Sequence, residues 1–193
     1  MVKARYINIL NNAISLSKRD KALLSEHLVE YELDEGEYFS QPEVAQLKLG
    51  YILTGVARMY IHGGKKGDVV ICFMEDNQYM GDFESFFSGQ PPHSYVQAVT
   101  KVKGVYLPIA SLAYLQMVIP RLFPYMGNTF NQHLSKKTKL LSQIMNVSSE
   151  AAYKAFMKGM PKACMYSSEQ DIASFLGTSE KSLASIKENF KCL

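Results

Sequence analysis

A chain of 193 residues, 47% hydrophobic and 20% charged, is long enough to bury a sizeable core and too apolar for extended disorder. Three widely separated cysteines, Cys72, Cys164 and Cys192, form no CxxC pair, which argues against a disulfide scaffold and against a zinc or iron–sulfur centre. The formal charge is only +3, but nine lysines stand against five acidic residues from Lys136 onward, so positive charge gathers in the C-terminal third. That excess suits either a nucleic-acid partner or an ordinary solvated helical surface.

The opening stretch "MVKARYINILNNAISLSKRD" is broken by Asn11, Asn12 and Ser15 and has no apolar run with a small-residue cleavage site, so no signal peptide is predicted. No later window reaches the run of about 18 apolar residues that a membrane helix needs, and the chain is expected in the cytoplasm. Up to about Glu30, Ile7, Leu10, Ile14, Leu23, Leu24 and Leu28 recur at helical spacing, with Ser17 placed to cap a second helix.

From Tyr31 to about Leu107 the texture changes to short β-branched and aromatic runs: "EYFSQ", "KLGYILTG", "VARMYIH", "DVVICFM", "YVQAVT" and "VKGVYLP". They are divided by turn chemistry, "DEG", "TG", "HGGKKGD" and "SGQPPH", a pattern that predicts a small antiparallel barrel or roll. "HGGKKGD" is not a phosphate loop, because no Gly-Lys-Ser/Thr ending and no helix follow it. Gly63, Gly64 and Gly67 make it a hairpin turn.

After Pro108 the pattern is helical. A short helix from about Ile109 to Val118 precedes "PRLFPYMGNTFNQHLSKKTKLLSQIM", where Phe123, Met126, Phe130, Leu134, Leu141, Ile144 and Met145 recur three, four or seven apart. Beyond Pro124 this is a helix of about 20 residues or more. Pairing with a second chain would hide its surplus apolar face, although His133 and Lys137 interrupt a strict coiled-coil seam. Packing along its own barrel is the other reading.

Glu169 to Glu188 reads as two short helices hinged at Gly177, where a left-handed backbone is cheapest for glycine. Ala173 is small where the helices approach, Leu176, Leu183 and Ile186 face inward, and Ser179 caps the second helix. This is the helix-turn-helix mask, although any αα-hairpin can produce it. In such a motif Ser179, Glu180, Lys181, Ser182, Ser185 and Lys187 point outward, with Lys181, Ser182 and Ser185 able to reach base edges and Lys187 better placed for phosphate. The face carries no arginine, so the bidentate guanine contact is missing.

A β-roll, a long helix and a terminal helix-turn-helix, in that order, resemble the Crp/Fnr family of bacterial transcription regulators. The resemblance spans nearly the whole chain and rests on "LDEGEYF", "YILTGVARMY", "MGDFESFFSGQPPHSYVQAVT" and "DIASFLGTSEKSLASIKENF". It implies an α+β fold: an antiparallel, jelly-roll-like, cyclic-nucleotide-binding-like β-roll, then a long dimerisation helix and a winged-helix-like helix-turn-helix domain. The implied division is N-terminal helices and β-roll over 1–119, dimerisation helix over 120–147 and DNA-binding domain over 148–193.

The resemblance further implies a small-molecule effector in a cassette to which Gly81, Asp82, Phe83, Glu84, Ser85, His93 and Ser94 correspond, with His133, Lys137 and Thr138 of the long helix near the ligand's base. Pro92 stands at the family's arginine position. A phosphate facing Asp82 and Glu84 without that cation is costly, so cyclic AMP is disfavoured, and another small molecule or no ligand is expected. Glu180, Lys181 and Ser185 stand where relatives often carry an arginine, a glutamate and a second arginine, which puts base specificity in question.

The implied partners are double-stranded DNA, a second copy of the chain through residues 123–145, and RNA polymerase as a further candidate. No catalytic or metal site is predicted: His27, His62, His93 and His133 are scattered, and no serine or cysteine sits in a GxSxG-like context. The competing reading is a ligand-binding or protein-interaction module whose terminal unit no longer reads DNA.

Overall fold

The computed structural model describes residues 2–44, 47–64, 67–145 and 147–191; Cys192 and the lysines of the "HGGKKGD" turn lie outside them. Two N-terminal helices, α1 (Val2–Ile14) and α2 (Lys18–His27), precede the roll, and Ser17 caps α2 in a reciprocal box with Asp20. Eight strands follow: β1 (Val29–Leu33), β2 (Tyr38–Ser40), β3 (Lys48–Thr54), β4 (Ala57–His62), β5 (Asp68–Met74), β6 (Tyr79–Met80), β7 (Tyr95–Ala98) and β8 (Val102–Pro108), with α3 (Phe83–Ser88) between β6 and β7. They form two antiparallel sheets, β1-β8-β3-β6 and β2-β7-β4-β5.

Phe39, Ile52, Met74, Met80, Val96 and Val102 fill the interior of the roll. The first sheet's other face carries Leu49, Tyr51 and Leu107 against Tyr6, Leu10, Leu24, Leu115 and Met126 of the surrounding helices. Strand β3 is thus buried on both faces, which is why "KLGYILTG" reads as an unbroken apolar run. The helices covering that face include α4 (Ile109–Val118) and the start of α5 (Leu122–Met145).

Three boundaries differ from the sequence reading. The helical pattern expected to run to about Glu30 stops at His27, and β1 starts at Val29 because Val29 and Glu30 enter the ladder opposite Tyr106 and Val105. Strand β6 is two residues held by pairing of Tyr79 and Met80 with β3, a tertiary contact that no local pattern announces. Pro124 lies inside the first turn of α5, where a missing amide removes no intrahelical bond.

Beyond α5 come α6 (Ser149–Gly159), α7 (Pro161–Tyr166), α8 (Glu169–Leu176) and α9 (Glu180–Lys191). They pack on the outer face of the second sheet: Tyr60, Val70 and Phe73 share one core with Leu140, Ile144, Phe156, Ile172 and Leu183. Polar contacts fix this docking. The Ser174 hydroxyl accepts from the Val70 amide at 3.0 Å and donates to the Asp68 carbonyl at 3.1 Å, so α8 satisfies the open edge of β5. Arg58 pairs with Asp171, which is 8% exposed, and Glu75 accepts the Ala163 amide at 2.7 Å. Among the described residues no helix is long and apolar enough to cross a membrane.

Phe156 joins the sheet and the C-terminal helices, its ring 5.6 Å from Phe73 and 5.4 Å from Phe175. Phe156→Ala should cost about 3–5 kcal/mol, measured by urea denaturation; a loss under about 1 kcal/mol would mean the two halves are not one packed core.

Candidate functional site

The terminal pair forms from local signals. Ser168 accepts from the Asp171 amide at 3.1 Å and starts α8. Gly177, at φ +65°, ends it in the left-handed conformation, and the Thr178 amide returns to the Ala173 carbonyl at 3.0 Å. The Ser179 hydroxyl then accepts from the Ser182 amide at 3.1 Å and opens α9. Leu183 is fully buried, and Leu176 and Ile186 are half-buried against the same core.

The opposite face of α9 is polar and open: Ser179, Glu180, Lys181, Ser182 and Ser185 are exposed. Lys187 differs. Its ammonium donates to Glu169 Oε1 at 3.0 Å and the side chain is only 22% exposed, so it ties α9 to α8.

The ligand cassette is closed around its own carboxylate. Gly81 is buried at φ +140°, with the Lys48 carbonyl 3.2 Å from where a Cβ would sit, which leaves room for glycine and little else. Asp82 caps α3 and accepts from the Ser85 amide at 3.1 Å, the His93 amide at 3.1 Å and the Ser94 hydroxyl at 2.9 Å. Ser85 is buried, its hydroxyl donating to the Pro91 carbonyl at 3.1 Å. Burial alone would raise the Asp82 carboxyl, but the donors from Ser85, Ser94 and His93 outweigh it and hold it below the ordinary aspartate value. Glu84 is exposed. The Phe83 ring lies 4.5 Å from Phe130 of α5.

Of the three long-helix residues, His133 and Lys137 share one side of α5 and Thr138 does not join them. The Lys137 ammonium donates to Cys72 Sγ at 3.2 Å, and the half-buried His133 ring lies 6.3 Å from Tyr79. Burial, then the charges of Lys136 and Lys137, push the His133 imidazole below its usual value. Thr138 is exposed on another face.

That other face carries an open stripe. Gly127, Asn131, Leu134, Thr138, Leu141 and Met145 follow at steps of four and three residues, and all are exposed, Leu134 at 51%, Leu141 at 36% and Met145 at 76%. The apolar positions pooled in the sequence reading therefore split into two stripes. Met126 and Ile144 are buried within the subunit, whereas Leu134, Leu141 and Met145 are open. His133 and Lys137 contact the roll and lie outside the open stripe. Sequence reasoning missed Arg58, the Pro91 carbonyl and the self-capping role of Asp82.

Because the folded Asp82 carboxyl loses its proton at lower pH than in the unfolded chain, its stabilisation is complete above about pH 4 and is lost as pH falls through the folded value. Asp82→Ala should lower stability by about 1–3 kcal/mol at pH 7. In urea denaturation at a series of pH values, the gap to the unchanged protein should close toward pH 3 or below; a gap independent of pH would remove the carboxylate from this role.

No protein-family model matches the chain, and no curated protein matches it significantly. Solved structures do match. FixK2 from Bradyrhizobium japonicum superposes with a TM-score of 0.70 at 13% identity, over 86% of this chain and 85% of that one. The c-di-GMP-responsive global regulator CLP from Xanthomonas campestris gives 0.69 at 12% identity, over 91% and 92%. A Crp/Fnr-family protein from Eubacterium rectale gives 0.66 at 14% identity, over 92% and 84%. At such identities the shared property is the architecture, over 86% to 92% of this chain. The chain has the fold of the Crp/Fnr-type regulators, with a cyclic-nucleotide-binding-like roll, a long helix and a helix-turn-helix.

Proposed function

We propose that the chain is a homodimeric DNA-binding regulator of the Crp/Fnr type, with a sensor over 1–119, a dimerisation helix over 120–147 and a DNA reader over 148–193. The observation that carries this reading is the second helix of the terminal pair, whose apolar residues are buried in its own subunit while Ser179, Glu180, Lys181, Ser182 and Ser185 stay open. A recognition helix needs that division of faces to enter a major groove. The open seam on α5 supports pairing with a second copy, since exposed apolar residues at alternating steps of four and three are what a two-stranded coiled coil buries. Two readers joined this way would meet half-sites about 34 Å apart on an approximate palindrome.

The effector, on this reading, is not cyclic AMP. The donors of the cassette serve Asp82, Pro92 replaces the expected cation, and a second negative charge there would lack compensation. CLP, of the same fold, is responsive to c-di-GMP, so the architecture does not commit a chain to one ligand. A ligand would act only through different affinity for two settings of the dimer. The second reading, an interaction module that has lost DNA reading, is favoured by one observation: Lys187 is engaged by Glu169.

Selection of duplexes from a random pool should enrich a palindrome whose affinity falls steeply with salt. Lys181→Ala with Ser185→Ala should weaken binding about tenfold or more, each good base contact being worth about 1–3 kcal/mol. No enrichment, or a double variant that binds equally well, supports the interaction module instead. Leu134→Glu with Leu141→Glu should convert a dimer to monomer in sedimentation, and an unchanged mass would remove the seam from the account.

A further inference from the structure

On the side of α5 turned away from the seam, a cleft of ≈ 280 Å³ lies between that helix, the turn joining β5 to β6 and the α6–α7 junction. His133, Lys136, Lys137, Leu140 and Gln143 line it from α5, at the steps of three and four residues that put side chains on one helical face. Gln78 closes it from the turn and Met160 from the junction. No carboxylate lines it, and Lys136 and Lys139, which both border it, form no ion pair with a described residue. None of the cassette residues from Gly81 to Ser94 takes part.

We infer that this cleft is a binding site for a phosphorylated small molecule with an apolar portion. Three lysines border one concave space with no acid among its lining residues, a charge arrangement that favours a multiply charged anion. Lysine serves phosphate as a point charge, without the fork that arginine offers a carboxylate. The Gln78 and Gln143 amides supply neutral donors. Leu140 and Met160 are buried side chains at the rim, and the volume exceeds what inorganic phosphate alone would fill, so part of the occupant is apolar.

The charged and titratable groups facing His133 are Lys136 and Lys137 from its own helix and Tyr79 from β6, with Cys72 of β5 against Lys137. Burial, then the charges of Lys136 and Lys137, lower the His133 imidazole, and an anion among them offsets the second cause, so His133 becomes an internal reporter of occupancy. The occupant would touch roll, long helix and reader unit together, and would stabilise that setting in proportion to its saturation. The site does not depend on whether α9 reads DNA.

The test uses the full chain and follows the histidine ring protons by NMR over a pH titration, without ligand and with phenyl phosphate, inorganic phosphate or benzoate. Phenyl phosphate should bind saturably and raise the His133 midpoint by about half a pH unit or more, inorganic phosphate and benzoate should bind more weakly, and Lys136→Gln with Lys139→Gln should abolish the shift while the free protein's thermal midpoint is kept. Equal binding by benzoate overturns the phosphate class, and equal binding by inorganic phosphate overturns the apolar portion. Absence of a saturable shift, or its survival in the double variant, overturns the site. A shift of His93 in place of His133 would put the ligand in the cassette, which contradicts this inference while favouring an effector of the roll.

Discussion

The arrangement depends on one polar chain that crosses the second sheet. The Gln97 amide donates to the Gly36 carbonyl at 2.8 Å, its oxygen accepts from Arg58 at 3.0 and 2.7 Å, and Arg58 in turn pairs with Asp171 on α8. Its guanidinium also lies 4.5 Å from the Tyr60 ring and 3.7 Å from Asp68. One cation thus joins β4, β7, β5 and α8. Such a pair adds little net stability over a well-packed apolar substitute, but removing one partner strands the other charge away from water. Its role is to fix where α8 sits, and the Ser174 hydroxyl on the edge of β5 fixes the same register a second time. With α8 held, the Gly177 turn and the buried Leu183 determine which face of α9 is left open.

The cassette and the long helix follow a related rule: charged side chains there take hydrogen-bond partners from within the chain. Asp82 takes three donors, and Lys137 turns to the Cys72 sulfur. Behind α5, Lys136 and Lys139 border a cleft and form no ion pair with a described residue. α5 thus carries two distinct faces, an open apolar stripe through Leu134, Leu141 and Met145 and a lysine-lined one facing the α6–α7 junction.

Much of this was legible in the sequence. Alternating β-branched runs located six of the strands, and Ser168, Gly177 and Ser179 act through their own backbone neighbours, so the terminal pair could be read from single residues. The strand β6, the entry of Val29 and Glu30 into a ladder and the partner of Arg58 are set by residues far away in the chain, and no local pattern encodes them. The long helix shows the intermediate case. Its periodicity predicted a helix correctly, but summed Met126 and Ile144 with Leu134 and Leu141 into a single stripe, and so made His133 and Lys137 look like breaks in a seam they do not touch. Asp82 was singled out as a ligand residue by resemblance; that it caps α3 itself depends on the path of the chain from Pro91 to Ser94.

The central claim is that α9 reads base edges from two subunits at once. Methylation interference on a selected duplex addresses it directly, because guanine N7 lies on the floor of the major groove. The account predicts two clusters of interfering guanines on one face of the duplex, separated by about one helical turn. Undiminished binding to duplexes methylated at guanine N7, or a single cluster without a symmetric mate, would contradict it.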